Sequence, residues 1–304
     1  MVPRGTGATF LCLLAAVIAA AAIAAAGCGS SARATNSRVV AVVAAENFWG
    51  NIAAQVGGSH AHVTSIVSDP SSDPHQYEAT ARDSAAVSNA RLVIETGLGY
   101  DAFVDQLLSA GSGGARVLTV AKVLGVTGSG ANPHLWYDVE RVGDVARAIE
   151  SELAAADPAD ASTFAANLRA FTASMQPLIG AIHAIETKYH DTPVAYTERV
   201  PEYLLADAGL AVKTPAGFAR AVEEGNEPSP ADTQAMISLI NGHQVRVLLY
   251  NAQATSATTQ HVRSLARDAG IPVVAVTETM PPDEPTYQSW QLHQIQALGR
   301  ALGA

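Results

Sequence analysis

Two histidines each follow a proline in a loop that comes after a predicted β-strand. His75 closes an Asp-Pro-His segment, and His134 closes an Asn-Pro-His segment. Proline fixes its local backbone, and it therefore helps to preset the direction of the side chain that follows. A single histidine is most often a surface or hydrogen-bonded residue, but the matching Pro-His loops favour a shared role for this pair.

Two glutamates stand at comparable places in the second half of the chain. Glu198 directly follows the run 193–197, and Glu278 directly follows the run 273–277. In open parallel sheets, ligands bind beyond the carboxyl ends of the strands, so both carboxylates can face the same cleft as the two histidines. On position alone, each glutamate could equally cap a helix or lie in solvent.

Two neutral imidazoles and two carboxylates would together cancel the charge of a divalent cation. This set of nitrogen and oxygen ligands suits first-row metals such as zinc, manganese or iron better than calcium or copper(I). Only neutral imidazole binds a metal, so we expect binding to weaken as the pH falls toward the ordinary histidine pKa of about 6.5. The residue types thus predict a site for a divalent transition metal.

Short β-branched runs alternate with helical stretches, which predicts an α/β fold of parallel sheets covered by helices. The predicted strands cover residues 39–44, 62–67, 92–96, 117–120, 194–197, 210–214, 245–250 and 273–277. The predicted helices cover residues 47–57, 80–90, 100–110, 139–156, 201–208, 230–242, 257–269 and 286–302. The chain therefore divides into two α/β halves, although it contains no internal sequence repeat.

A long helix is predicted between the two halves. Apolar residues recur at alternating spacings of four and three from Phe164 to Tyr189, which places them on one helical face. About 30 residues of helix would run roughly 45 Å. A coiled coil is the rival interpretation, but one isolated segment of this kind fits a connecting helix better. Pro177 and Gly180 lie inside it and predict a kink or a break.

The amino-terminal segment is typical of an export signal. Arg4 precedes an apolar run, residues 8–26, and small residues lead to Cys28. This pattern predicts a bacterial lipoprotein that is cleaved before Cys28 and acylated on its sulfur. The alternative is an uncleaved membrane anchor, since about 19 apolar residues could just span a bilayer. Both interpretations place the rest of the chain on the extracytoplasmic face of the cell membrane.

These observations predict five segments along the chain. They are a signal peptide (1–27), a lipidated tether (28–37), an N-terminal α/β domain (38–157), the connecting helix (158–191) and a C-terminal α/β domain (192–304).

Composition narrows the function further. The chain has 304 residues, and its 18 basic and 28 acidic side chains give a formal charge of −10. Nucleic-acid-binding proteins usually carry a positive field, so we expect no nucleic-acid partner. The chain has only two cysteines, Cys12 and Cys28, which excludes a zinc site built from cysteines.

Other histidines and motifs have ordinary interpretations. The segment 97–102 imitates the dinucleotide-binding motif GxGxxA, but it lacks the acidic residue about 20 positions later, and we interpret it as a tight strand-to-helix turn. His60 and His62 share one face of a strand, where exposed edge residues are the simpler interpretation. The chain contains no GxSxG, HExxH or Walker motif, which argues against a serine hydrolase, a zincin or an ATPase.

The segments 73–75 and 132–136, together with the segment around Glu278, resemble the zinc/manganese-binding lipoproteins that supply ABC importers, a family that includes adhesin-like lipoproteins. The resemblance extends from Val39 to Leu302. It implies two (βα)4-type domains joined by one long helix, with a single metal ion held in the interdomain cleft. It also implies a cognate ABC permease and its ATPase as partners, and we expect a monomer.

The same resemblance implies the metal ligands. The two histidine ligands of the family match His75 and His134, the third ligand matches Glu198, and the fourth matches Glu278. The third position is His in many zinc-binding members and Glu in many manganese-binding members. The fourth is usually Asp. The chain also lacks the His-rich loop of some zinc-specific members.

The expected cargo is therefore Zn²⁺ or Mn²⁺, carried as a transported ligand and not as a catalytic cofactor. Glu198 favours manganese, particularly if either carboxylate binds through both oxygens. Intrinsic affinity favours zinc, because nitrogen and oxygen sites generally hold it more tightly than manganese.

We expect a receptor that delivers this metal to the permease and has no enzymatic activity. The alternative is an extracytoplasmic metal-dependent hydrolase, which would normally keep three protein ligands and an open position for water. An adhesin is a third possibility, for which the sequence offers no protein-binding patch.

Overall fold

Two parallel β-sheets follow one another along the chain, as the sequence predicts. The computed structural model describes Met1 and residues 39–69, 77–111 and 114–303. The predicted signal peptide, Cys28 and His75 lie outside the described residues. Ser37–Ala304 form one compact unit, and Met1–Asn36 form another, of which only Met1 is described. No helix within the described ranges is long and apolar enough to cross a membrane.

The first sheet is four-stranded and parallel, with the strand order β2-β1-β3-β4. Its strands are β1 (Val40–Glu46), β2 (Ala61–Val67), β3 (Leu92–Glu95) and β4 (Arg116–Thr119). The inner strands β1 and β3 are almost completely buried because helices cover both faces of the sheet. The predicted strands agree with these bounds to within one or two residues.

The second sheet repeats this topology, with the order β6-β5-β7-β8. Its strands are β5 (Pro193–Tyr196), β6 (Ala211–Val212), β7 (Val247–Asn251) and β8 (Val273–Val276). The two sheets are thus related by topology although the sequence has no visible repeat.

Strand β6 is shorter than the predicted run 210–214. The next residue that would donate to β5 is Pro215, which has no N–H. Tyr196 instead donates its backbone N–H to Thr214 Oγ1 at 2.8 Å, and this hydroxyl donates to the Tyr196 carbonyl at 3.1 Å. Thr214 therefore takes the place of a backbone partner, and the ladder ends early.

Helices cover the two sheets and occupy most of the predicted segments. In the first half they are α1 (Asn47–Gly57), α2 (Ala81–Asn89), α3 (Ala102–Ala110), α4 (Val120–Val123) and α5 (Val142–Ala156). In the second half they are α8 (Glu202–Asp207), α9 (Ala216–Glu223), α10 (Pro230–Asn241), α11 (Ala257–Asp268) and α12 (Tyr287–Leu302). Helices α4 and α9 lie outside the segments predicted to be helical.

The connecting segment contains two helices instead of one. They are α6 (Ala161–Ser174) and α7 (Gln176–Tyr189), and the break falls at Met175. Pro177 has no N–H to donate to the preceding turn, so it starts a new helix as its second residue. Gly180 lies inside α7 without interrupting it.

The predicted apolar face of this segment is buried. Six of its residues belong to one apolar core that also contains side chains from both sheets: Phe164, Phe171, Met175, Leu178, Ile182 and Ile185. The connecting helices therefore pack on both halves of the chain.

Candidate metal-binding site

Three of the four predicted ligands lie together. Glu198 follows β5 and Glu278 follows β8, each two residues beyond the end of its strand. His134 follows a loop after α4 and directly precedes a 3₁₀ turn, Leu135–Tyr137. His134 Nε2 lies 3.8 Å from Glu198 Oε1 and 3.7 Å from Glu278 Oε2.

The cluster is enclosed by protein. The exposed fractions of His134, Glu198 and Glu278 are 0%, 1% and 0%. One ligand atom from each residue lies within 4.8 Å of the others, which is close enough for one ion to contact all three. Neither glutamate caps a helix or faces solvent, so those two interpretations of the sequence are wrong.

His75 lies outside the described residues, and its place among the ligands stays a prediction. Strand β2, which precedes its loop, pairs in parallel with β1 and ends at the same edge of the first sheet.

Asn132 orients the histidine. Its Oδ1 accepts the backbone N–H of His134 at 3.1 Å and lies 2.7 Å from His134 Nδ1. The Asn132 amide nitrogen donates to the Arg199 carbonyl and to Glu202, both at 2.9 Å, which fixes the direction of the amide. Nδ1 of His134 therefore carries the proton, and Nε2 points toward the two glutamates. A metal-binding imidazole commonly has such a partner on its second nitrogen.

Asn251, the last residue of β7, holds both glutamates. Its Nδ2 lies 2.6 Å from Glu198 Oε2 and 2.8 Å from Glu278 Oε1. Gln253 supports the same loop, because its Oε1 accepts the backbone N–H groups of Glu278 and Thr279.

Tyr100 reaches the site from the first half of the chain. Its hydroxyl donates to Glu278 Oε2 at 2.9 Å. Burial and the nearby carboxylates raise the pKa of Tyr100 well above its ordinary value, so the phenol stays protonated and serves as a donor.

Sequence reasoning missed Tyr100, Asn251 and Gln253. Tyr100 lies in the glycine turn 97–102, which was rejected as a nucleotide-binding motif; the structure confirms the tight turn, with positive φ at residues 97–99. Asn251 also stands at the carboxyl end of a strand, so its position in the sequence carries the same signal as that of Glu198 and Glu278.

Further hydrogen bonds join the two halves beside the site. Asn47 Nδ2 donates to the Met280 carbonyl at 2.9 Å, and the Met280 N–H donates back to Asn47 Oδ1 at 3.0 Å. The Tyr287 hydroxyl donates to the Trp136 carbonyl at 2.6 Å, two residues after His134. These bonds connect the loop after Glu278 and the turn after His134 to opposite halves of the chain.

A cavity of about 630 Å³ lies beside the cluster. Tyr100 and Pro133 line it from the first half, and Arg199 and Glu223 line it from the second. The Arg199 guanidinium binds both carboxylate oxygens of Glu223, each at 2.6 Å. The positive and negative charges on this wall of the cavity therefore offset each other. Tyr100, which contacts Glu278, separates the cavity from the buried cluster.

The other histidines have local partners or face solvent. His60 Nδ1 lies 2.7 Å from an Asp160 oxygen, and His183 Nε2 lies 2.9 Å from Glu140 Oε1. His62 is exposed on the edge strand β2. Within the residues that the structure describes, these histidines do not join the buried cluster.

Fold and site together define a two-sheet α/β protein with a buried cluster whose ligand atoms could hold a small cation. The chain matches the family "Zinc-uptake complex component A periplasmic" over residues 42–301. It belongs to this family and is a metal-binding solute-binding protein of an ABC import system. None of the comparisons supports a metal-dependent hydrolase.

Curated relatives are similar over part or most of the chain. The manganese-binding lipoprotein MntA of Halalkalibacterium halodurans is 29% identical over 181 residues, which is 58% of this chain and 58% of that protein. The MntA of Bacillus subtilis is 22% identical and is matched over 98% of its length and 95% of this chain.

Solved structures share the fold. The periplasmic zinc-binding protein TroA of Treponema pallidum superposes with a TM-score of 0.74 at 19% identity, covering 86% of this chain and 98% of TroA. FpvC of Pseudomonas aeruginosa, solved in complex with Mn²⁺, gives a TM-score of 0.73 at 21% identity, with coverage of 88% and 98%.

Proposed function

We propose that this protein captures Zn²⁺ or Mn²⁺ outside the cytoplasm through His75, His134, Glu198 and Glu278, and delivers the ion to a cognate ABC permease. The observation that carries the proposal is the buried cluster of one imidazole and two carboxylates, whose ligand atoms lie within 4.8 Å of one another. Two carboxylates offset the charge of a divalent ion, and a second neutral imidazole would complete four ligands.

The curated relatives support this cargo and this partner. Two of them are named manganese-binding lipoproteins, and a Streptococcus gordonii relative, 23% identical, is named a manganese ABC transporter substrate-binding lipoprotein. We extend these properties to the present chain because the family match covers residues 42–301, which include all four proposed ligands.

The proposal includes attachment to the membrane through a lipid on Cys28. Residues 28–37 would then tether a receptor made of an N-terminal domain (38–157), the connecting helices (158–191) and a C-terminal domain (192–304). The receptor would act as a monomer, because one chain supplies all the proposed ligands.

The protein would bind its metal without chemical turnover. Hydrolytic zinc sites typically keep three protein ligands and one position for water. Four protein ligands would fill a tetrahedral ion, and the near-complete burial of Glu198 and Glu278 leaves little room for a substrate beside it.

Calorimetry on metal-stripped protein tests the ligand set. We expect His75→Ala, His134→Ala and Glu198→Ala each to lower zinc and manganese affinity by at least about 100-fold. Loss of a residue that only supports a metal ligand already costs up to about 100-fold, and loss of a ligand should cost at least as much. His183→Ala is the matched control, because this exposed histidine pairs only with Glu140 in the described contacts. Wild-type affinity in the His134→Ala or Glu198→Ala protein would overturn the proposal.

Two measurements on cells test the transport role and the cargo. Elemental analysis of protein purified from its native membrane should find zinc or manganese, and competition between the two should name the preferred ion. Deleting the gene should reduce uptake of that ion. Unchanged uptake would argue against delivery to a permease, and sustained hydrolysis of ester, phosphate or peptide substrates that His134→Ala abolishes would favour an enzyme.

A further inference from the structure

Asn251 has a defined orientation between the two glutamates. It is 1% exposed, its backbone N–H donates to Thr197 Oγ1 at 3.1 Å, and its Oδ1 accepts the Gln253 N–H at 2.9 Å. The Gln253 N–H identifies which atom of the Asn251 amide is the oxygen. The amide nitrogen must therefore face Glu198 and Glu278. The amide therefore cannot flip without losing these bonds.

A side-chain amide nitrogen has two protons, and Asn251 uses one for each glutamate. The amide holds Glu198 Oε2 at 2.6 Å and Glu278 Oε1 at 2.8 Å. The other oxygens, Glu198 Oε1 and Glu278 Oε2, are the ones that lie nearest His134 Nε2. Each carboxylate thus presents one oxygen to Asn251 and the other to the histidine, and Tyr100 also donates to the histidine-facing oxygen of Glu278 at 2.9 Å.

We propose that Asn251 is a specificity-determining residue that restricts both glutamates to one ligand oxygen each and so favours zinc over manganese. An oxygen that already accepts the amide proton has one lone pair fewer to offer a metal, so the amide disfavours binding through both oxygens of either carboxylate. Zinc is commonly satisfied by four ligands in a tetrahedron, whereas manganese favours higher coordination by oxygen. This inference rests on the proposed function and deepens it, because it names the preferred cargo.

A purely structural role would leave this preference unchanged. Asn251 could simply separate two buried carboxylates, and its loss would then weaken both metals by the same factor. The ratio of the zinc and manganese affinities distinguishes the two roles, and so does the coordination number of the bound ion.

The test compares Asn251→Ala, Asn251→Thr and a matched control, Asn132→Ala. Threonine retains one hydroxyl proton, as Thr96 does at the end of β3, where it donates to Glu46 at 3.2 Å. Asn132 orients His134 and touches neither Glu198 nor Glu278 in the described contacts, so its loss should weaken both metals alike. Circular dichroism and thermal unfolding establish that each variant is folded.

Zinc and manganese affinities are measured by competition, and Co²⁺ serves as a spectroscopic probe, since four-coordinate Co²⁺ absorbs visible light far more strongly than six-coordinate Co²⁺. For Asn251→Ala we expect the zinc-to-manganese affinity ratio to fall about tenfold or more, with weaker Co²⁺ bands. Asn251→Thr should lie between this variant and the wild type, and Asn132→Ala should keep the wild-type ratio.

Equal losses of zinc and manganese affinity in Asn251→Ala, with an unchanged Co²⁺ spectrum, would overturn the inference. So would a six-coordinate Co²⁺ spectrum in the wild type. If Asn251→Ala does not fold, the ratio and spectrum of Asn251→Thr decide in the same way. Failure of the proposed function is recognised separately, because the wild-type protein would then bind neither zinc nor manganese.

Discussion

Glu46 and Glu198 occupy matching places in the two sheets but lie in different chemical surroundings. Each glutamate lies two residues after the last residue of its own strand, β1 or β5, that pairs with the adjacent inner strand, β3 or β7. Each also accepts a hydrogen bond from a residue two positions beyond that pairing partner, namely Thr96 for Glu46 and Asn251 for Glu198. The repeated topology therefore builds the same pair of positions twice.

The first of these positions disfavours a charged carboxylate. Thr96 donates its hydroxyl proton to Glu46 at 3.2 Å and accepts the Trp49 indole N–H at 2.9 Å. Burial and the neighbouring Asp101 raise the pKa of Glu46 well above its ordinary value. Burial also raises the pKa of Asp101 to about 7, although two backbone N–H groups oppose the shift. Both acids therefore favour the protonated form more than an acid in water does.

The second position belongs to the cluster that we propose as the metal site. Asn251 donates to both glutamates, and His134 reaches them from the other half of the chain. The comparison of Glu46 with Glu198 shows that this position at the edge of a sheet provides a buried carboxylate and nothing more. Whether this carboxylate favours a proton or is placed to bind a cation depends on the donors that face it and on an imidazole from a distant segment.

The largest expected contrast is in metal affinity. Glu198→Gln should lower zinc and manganese affinity by at least about 100-fold, because it removes both a ligand oxygen and a negative charge. Glu46→Gln, the matched change in the first sheet, should leave both affinities within about threefold of the wild type. Isothermal titration of the two variants measures the contrast, and similar losses in both would contradict the different roles assigned to the two glutamates.

Metal binding should also stabilise the two variants differently. At a free metal concentration 100 times the dissociation constant, the free energy of unfolding should rise by about 2.7 kcal/mol in the wild type and in Glu46→Gln. Glu198→Gln should gain little at the same metal concentration. Chemical denaturation with and without metal gives these values, and a full gain in Glu198→Gln would count against the site.

The pH dependence of stability should distinguish the two positions in the metal-free protein. A carboxyl whose pKa is raised in the folded state contributes stability at low pH that is lost as the pH rises through the folded pKa. Above about pH 4.5, Glu46→Gln should therefore become progressively more stable relative to the wild type, by up to about 1.4 kcal/mol per pH unit. Denaturant unfolding at pH 5, 6, 7 and 8 measures the difference in the free energy of unfolding between the variant and the wild type. A difference that does not change with pH would mean that the folded protein does not raise the pKa of Glu46.

The smallest expected effect is that of Tyr100→Phe. The change removes one hydrogen bond to Glu278, worth about 1 kcal/mol, and should lower metal affinity about fivefold without altering the fold. Competition binding with a metal-sensitive dye is sensitive enough to detect it. A loss as large as that of Glu198→Gln would mean that Tyr100 does more than position Glu278.

Much of the site could be predicted because strand ends are visible in the sequence. The β-branched runs before Glu198 and Glu278 end where the structure ends β5 and β8, to within one residue, and parallel strands expose their carboxyl ends at one edge. His134 was predicted from its Pro-His loop, although a short helix, α4, intervenes between β4 and that loop. His75 and Cys28 stay predictions.

The sequence by itself determined the alternation of strands and helices, the two α/β halves and three residues of the buried cluster, since hydrophobic periodicity and strand ends are local properties. The tertiary structure alone decided that Asn251 and Tyr100 hold the glutamates. Hydrogen bonds between residues such as Tyr100 and Glu278, 178 positions apart, depend on how two sheets pack and leave no periodic trace along the chain.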